Sequence, residues 1–300
     1  MQLNDPKVRL LHWCINSPEL AHAKEVLALK QEANSKLNNW LISLDQKPAK
    51  LHQFLKGSTT KRLGIYFERL WQFYLEHGPQ WQLLGHNLQI IEQKKTLGEL
   101  DILAHNQLSG YYHIELAVKF YLQYPGQSGQ ECQHWIGPQT RDQLDIKLKT
   151  LNKRQFPILH HDQTQKLLSS FNIDQPIQQR LVLKGYLFHQ FQHAYLLPID
   201  VNPQCNIGQW LHQKNISALT QDHDTWAFIE KQQWLGPLAL PKVKDDHVTM
   251  CSAMANQFVQ DHFSAKPNNH ALMLIKLNEK PDTYEEQTRY LIMSDAWPNL

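Results

Sequence analysis

Residues 96–122, TLGELDILAHNQLSGYYHIELAVKFYL, constrain the fold more than any other part of the chain. Their apolar side chains alternate with other residues on both sides of a turn-like segment, His105–Gln107. This pattern predicts two strands, Leu97–Ala104 and Tyr111–Tyr121, joined as an antiparallel hairpin. The strands are apolar enough to be interior, yet they carry carboxylates, and burying an unpaired carboxylate is very unfavourable. The fold must therefore compensate these charges.

Strand alternation predicts which carboxylates meet. Asp101 lies on one face of the first strand, and Glu115, Ala117 and Lys119 share one face of the second. In a hairpin Asp101 and Glu115 converge, and two adjacent carboxylates raise each other's pKa unless a positive charge lies between them.

A divalent cation would resolve this repulsion, and hard oxygen ligands suit Mg²⁺ or Mn²⁺. We therefore interpret Asp101 and Glu115 as metal ligands in a site that can activate water for attack on a phosphodiester. The alternative is purely structural ion pairing, of Glu115 with Lys119 or of Asp101 with Arg69.

The elements around this hairpin have a definite order. A helix beginning at Ser58–Thr60 carries an apolar face, with Glu68 at its border. The strand candidates are Leu83–Ile91, the two strands of the hairpin and, later, Leu181–Phe188. A further helix is predicted from Gly137 to about Gln155. The order is helix, three strands, helix, strand, and the short connections suggest an antiparallel meander.

The chain is predicted to have three parts. Residues 1–57 have helical periodicity, with one helix starting near Pro18, apolar residues at 26–29 and an apolar stripe on the segment around Trp40. Residues 58–200 hold the mixed α/β core. Residues 201–300, punctuated by tryptophans and with strands predicted at 270–276 and 288–293, form a smaller α+β domain or extension. The expected fold class is α+β.

The predicted helix from Gly137 carries several cations. A basic helix beside a carboxylate site would suit phosphate contacts, which makes nucleic acid the expected partner. Solvated surface charge on an amphipathic helix is the alternative. The basic residues are Arg141, Lys147, Lys149, Lys153 and Arg154.

Composition limits other readings. The chain has 300 residues, with 30 Lys and Arg against 28 Asp and Glu, so any nucleic-acid contact needs a local basic patch. The four scattered cysteines suggest free thiols in a reducing compartment. Neither an apolar leader nor a membrane span is visible, so a cytoplasmic location is expected. The histidines form no zinc pattern, and the sequence does not indicate an oligomeric state.

The region from about residue 60 to 190 resembles the PD-(D/E)XK nuclease superfamily, whose core is αβββαβ. The matching features are Glu68 on the first helix, GELD ending at Asp101, and then Glu115 with a nearby lysine. The resemblance implies that Asp101 and Glu115 bind the metal, that Lys119 is the catalytic basic residue, and that Glu68 is an auxiliary acid.

The lysine departs from the superfamily pattern. The usual spacing places it two residues after the glutamate, where this chain has Ala117. On a regular strand the usual pair is about 7 Å apart along the strand, against about 13 Å for Glu115 and Lys119. Either a bulge shortens that distance, or a lysine from elsewhere, such as Lys147, takes the role, or the role is lost.

The whole chain also resembles a bacterial family known as domain of unknown function 1853. The matching segments are DPKVRLLHWCINSPEL, YFERLWQFYL, TLGELDIL, HIELAVKFYL, WIGPQTRDQLDIKL, WLGP and DAWP.

Three functional hypotheses follow. The leading one is a metal-dependent nuclease that hydrolyses phosphodiester bonds of DNA or RNA. The second is a catalytically degenerate nuclease fold that binds nucleic acid or a protein partner. The third is a structural protein whose acids are ion-paired.

Overall fold

The computed structural model describes residues 1, 3–22, 35–56, 62–220, 224–242, 249–265 and 271–299. Within these residues the chain is a mixed α+β protein, as predicted, and none of the described helices is long and apolar enough to span a membrane. The helices are α1 (Pro6–Asn16), α2 (Ser35–Gln46), α3 (Ala49–Lys56), α4 (Leu63–His77), α5 (Leu144–Thr150), α6 (Asp162–Ser170), α7 (Ile216–Leu219) and α8 (Ser252–Ala265).

Strands occur along the whole described chain. They are β1 (Trp81–Glu92), β2 (Lys95–Asn106), β3 (Gly110–Gln123), β4 (Trp135–Ile136), β5 (Ile177–Gln190), β6 (Asn206–His212), β7 (Thr225–Ile229), β8 (Ala239–Pro241), β9 (Thr249–Cys251), β10 (Ala271–Glu279) and β11 (Thr283–Met293).

The contacts divide the chain into two compact units. The first comprises Met1–Val118 and Ile146–Lys184, and the second comprises Lys119–Asp145 and Gly185–Leu300. Because the division follows proximity in space, each unit takes residues from two of the three segments predicted from the sequence.

An antiparallel meander forms the sheet of the first unit, as predicted. Strands β1 and β2 pair across a two-residue turn, Gln93–Lys94, whose φ angles of 47° and 65° suit a hairpin turn. Strand β2 then pairs with β3 in a register that sets Ile102 opposite Ile114. The predicted hairpin and its direction are therefore confirmed.

Helix α4 buries the face that its periodicity predicts. Leu63, Phe67, Leu70 and Tyr74 are all buried, while Glu68 is half-buried at the border of that face. The predicted helix start at 58–60 and the apolar residues at 26–29 lie outside the described residues.

The helix predicted from Pro18 is wrong for the described residues up to 22, which are not helical. Here the chain is held by a buried ion pair between Glu19 Oε1 and Lys184 Nζ at 2.8 Å. The other Glu19 oxygen accepts the backbone N–H of Leu183 at 2.7 Å. These long-range bonds to β5 compensate the buried carboxylate, so tertiary contacts override the local helix signal.

The helix predicted from Gly137 begins seven residues later than expected, at Leu144. Residues 137–143 instead form a turn, in which the Gly137 N–H donates to the Asp142 carbonyl at 2.7 Å and Thr140 has a φ of 60°. Arg141 therefore lies in this turn rather than on the helix.

The second unit pairs the remaining strands around a tryptophan-rich core. Its order runs from the end of β5 through β6, β11, β10 and β7 to β9, with β8 against β11 and β4 against the end of β3. Trp210 and Trp226 are fully buried and Trp297 is 2% exposed. These rings therefore serve core packing. The four cysteines are free, as predicted.

Candidate functional site

Asp101 and Glu115 lie side by side on adjacent strands of the first unit. The register that pairs Ile102 with Ile114 sets these two residues opposite each other, on one face of the sheet. The Oδ2 atom of Asp101 accepts the backbone N–H of Leu116 at 2.9 Å. The two carboxylates thus occupy the relative position that strand alternation predicts.

The environment of Asp101 opposes its ionisation. Burial raises the pKa of the Asp101 carboxyl to about 8, and the neighbouring charges of Glu115 and Glu68 raise this pKa further, against smaller opposing effects of the Leu116 N–H and of Lys147. Asp101 therefore holds a proton at neutral pH, because its acidic neighbours outweigh the one cation that acts on it.

Glu115 is 1% exposed, and both of its oxygens accept hydrogen bonds. Oε1 lies 3.0 Å from Nε2 of the fully buried His113. Oε2 accepts the side-chain amide of Gln155. The Gln179 amide lies 3.3 Å from Nδ1 of His113 and donates to the Phe156 carbonyl at 2.7 Å. If Gln179 is the donor, the His113 proton is assigned to Nε2, from which it is donated to Glu115.

Gln155 links Glu115 to a lysine. The Nζ atom of Lys147, on α5, donates to Gln155 Oε1 at 2.9 Å. Gln155 ends a π-helical turn, Leu151–Gln155, that follows α5 directly. Such turns are rare and often found at functional sites, and this one brings the Gln155 amide within reach of Glu115.

Glu68 and Glu99 extend the acidic cluster toward solvent. Glu68 is half-buried, and burial raises the pKa of its carboxyl although a hydrogen bond from Asn87 opposes the shift. Asn87 also donates from Nδ2 to Glu99 Oε1 at 3.0 Å. Asn87 and its neighbour His86 are exposed, so this side of the cluster is accessible from solvent.

The other predicted basic residues lie elsewhere. Lys119 Nζ forms an ion pair with Asp142 Oδ2 at 2.6 Å, in the second unit. Asp142 also accepts the Tyr121 hydroxyl at 3.2 Å. Arg141 lies exposed in the turn before α5, and Lys149 is exposed on α5 itself.

Three residues of the site were not assigned a role from the sequence. Strand alternation places His113 on the same face as Glu115, so its partnership was available from the pattern. Gln155 gives no sequence signal, because the π turn changes the direction of its side chain. Asn87 gives none either, because alternation along a strand does not reveal a left-handed residue.

The donor set fits a hard divalent cation. Among the residues that the structure describes, no group of three or more His, Cys, Asp and Glu side chains is arranged to enclose a metal ion. A protein site of two carboxylates is nevertheless typical of Mg²⁺, which keeps several of its waters. The proton on Asp101 marks a place where positive charge is favourable.

The chain was compared with known proteins. A family model described as a domain of unknown function (DUF1853) matches residues 9–293. No curated protein and no solved structure matches the chain.

Proposed function

The chain belongs to the DUF1853 family, whose description assigns no activity, and from its acidic cluster we propose a metal-dependent nuclease that hydrolyses phosphodiester bonds in nucleic acid. The observation that carries the proposal is the Asp101–Glu115 pair. These carboxylates lie opposite each other on adjacent strands, and burial together with their mutual repulsion raises the pKa of Asp101 to about 8. An arrangement that costs stability in this way is common at functional sites.

Mg²⁺ or Mn²⁺ is the proposed cofactor, with Asp101 and Glu115 as its ligands. Bound there, the ion would supply an activated water and neutralise charge developing on the phosphodiester. Among the described residues, neither carboxylate forms a salt bridge with Arg or Lys. This favours a cation site over the purely structural ion pairs that the sequence left open.

The order of elements supports a core like that of the PD-(D/E)XK nucleases. Helix α4, strands β1 to β3, helix α5 and strand β5 follow the αβββαβ order, with β4 and α6 as additions. Glu68 lies on the first of these helices and interacts electrostatically with Asp101. We propose that it acts as the auxiliary acid of the site.

Lys147 is the better candidate for the basic residue. Its amine is held by Gln155, which in turn donates to Glu115, and its charge lowers the pKa of Asp101. In this position Lys147 would stabilise negative charge on the phosphodiester in the transition state. Lys119 is instead paired with Asp142.

The nucleic-acid partner would contact the basic face that begins on α5. Lys149, Lys153 and Arg154 are exposed there, next in sequence to Lys147 and Gln155. Cations of this kind position a phosphate backbone without reading its sequence, so binding would weaken as salt is raised. Arg141, in the turn before α5, would contribute at most from outside the helix.

A second candidate function is binding of nucleic acid without cleavage. Ala117 in place of the usual lysine favours it, as do the hydrogen bonds that already occupy both oxygens of Glu115. This candidate predicts salt-dependent retention of nucleic acid but no turnover.

Purified protein incubated with single- and double-stranded DNA and RNA tests the proposal. We expect cleavage with Mg²⁺ or Mn²⁺, none with EDTA, and a loss of at least about 100-fold in Glu115→Gln. Asp174→Asn, which neutralises an exposed acid elsewhere in the first unit, is the control and should keep full activity. Cleavage that persists in EDTA, or that Glu115→Gln leaves unchanged, contradicts the proposal. Binding without cleavage of any of these substrates supports the second candidate.

A further inference from the structure

Asn87 has an unusual backbone for a residue inside a strand. Its φ is 50°, in the left-handed region that residues other than glycine seldom adopt, although asparagine tolerates it better than most. The preceding part of β1 contains a register shift between Leu83 and Gly85. Irregularities of this kind redirect side chains and are frequent beside active sites.

The register places Asn87 at the acidic cluster. Its neighbours His86 and Leu88 pair with Ile102 and Leu100, so Asn87 lies opposite Asp101 on the adjacent strand. Three strands thus bring Asn87, Asp101 and Glu115 into one row across the sheet.

The side chain of Asn87 joins groups from two further elements. Its amide donates to Glu99 Oε1 at 3.0 Å and it hydrogen bonds to Glu68 on α4. Its Oδ1 lies 2.9 Å from Nδ1 of His86 and 3.5 Å from the amide of Gln72. One exposed amide therefore connects α4, β1 and β2 at the solvent side of the cluster.

Stability alone gives little reason for this arrangement. Asn87 is exposed, where a hydrogen bond competes with water and contributes little. The left-handed backbone meanwhile costs energy, and such strain is retained mainly where it serves a site. The bonds do, however, fix two carboxylates that would otherwise repel each other.

We infer that Asn87 is a positioning residue, which holds Glu68 and Glu99 at the open side of the Asp101–Glu115 pair so that they favour a divalent cation there. This inference rests on the proposed metal site. It assigns the recognition of the cation to a second layer of residues, and such layers commonly tune metal affinity.

Mn²⁺ affinity, measured by titration calorimetry on the full chain without nucleic acid, tests the inference. Asn87→Gly keeps the left-handed backbone and removes the amide. We expect it to weaken Mn²⁺ binding by about 10- to 100-fold. Asn172→Gly is the matched control, because Asn172 is also exposed and has a φ of 56°. Its Mn²⁺ affinity should equal that of the wild type.

A second background shows whether Asn87 acts through Glu68. In Glu68→Gln the further change Asn87→Gly should weaken Mn²⁺ binding much less than it does in the wild type. Wild-type affinity in Asn87→Gly, or an equal loss in both backgrounds, overturns the inference. Asp101→Asn separates the two proposals. If it weakens Mn²⁺ binding and Asn87→Gly does not, only the role of Asn87 fails. If Asp101→Asn binds Mn²⁺ as tightly as the wild type, the metal site fails and this inference fails with it.

Discussion

Asp101→Asn is expected to abolish metal-dependent cleavage and, in the same protein, to raise the free energy of unfolding at neutral pH. Cleavage is lost because an amide is a poor ligand for Mg²⁺ and carries no charge to hold it. Stability rises because the folded protein raises the pKa of Asp101 from its ordinary value of 3.8 to about 8. The folded state therefore disfavours the carboxylate form, and the amide removes that cost.

The pH dependence of stability follows from the same shift. Below pH 4 the Asp101 carboxyl is protonated in both the folded and the unfolded chain, so it adds no pH dependence. Between about pH 4 and pH 8 only the unfolded chain loses the proton, and the contribution of Asp101 to the free energy of unfolding falls by about 1.4 kcal/mol per pH unit. Above pH 8 both states are ionised and the cost stays constant.

Urea unfolding in EDTA at pH 5, 6.5 and 8 measures this effect. The stability advantage of Asp101→Asn over the wild type should grow with pH and reach on the order of 3 kcal/mol at pH 8. Asp174→Asn, at an exposed acid, should show no such trend. A variant less stable than the wild type at pH 8 would mean that Asp101 is a structural residue. Because the proton must leave before a cation binds, Mn²⁺ should also stabilise the wild type more at pH 8 than at pH 6.

The sequence was sufficient for those parts of the fold that periodicity governs. Strict alternation on both sides of a short connection left one economical arrangement for β2 and β3, and it places Asp101 opposite Glu115. The apolar stripe of α4 similarly predicted which of its residues are buried. In both cases local pattern and tertiary packing favour the same structure.

The sequence was insufficient where the chain departs from regular geometry. The turn at 137–143 closes through a bond between Gly137 and Asp142, which a helical pattern cannot reveal. That turn supplies the partner of Lys119, so strand alternation predicted the face of the lysine but not its ion pair. The π turn before Phe156 likewise gives Gln155 a direction that 3.6-residue periodicity does not predict.

Replacing Lys147 is expected to reduce cleavage far more than replacing Lys119. Lys147→Met should lower kcat by about 100-fold or more, because its amine lies in the hydrogen-bonded chain that leads through Gln155 to Glu115. Lys119→Met removes only an ion pair with Asp142 in which the two side chains are 30% and 40% exposed. Pairs of this kind contribute about 0–1 kcal/mol to stability, so cleavage should stay close to that of the wild type.

Steady-state cleavage of one nucleic-acid substrate at saturating Mg²⁺ compares these two variants with the wild type. Lys147→Arg keeps the charge but not the compact amine, so it should recover part of the loss, whereas an uncharged side chain should not. If Lys119→Met instead abolishes cleavage and Lys147→Met leaves it intact, the basic residue lies on β3 as the superfamily resemblance implies. The opposite result would show that a lysine on α5 replaces the one that Ala117 lacks, with Gln155 coupling it to the acids.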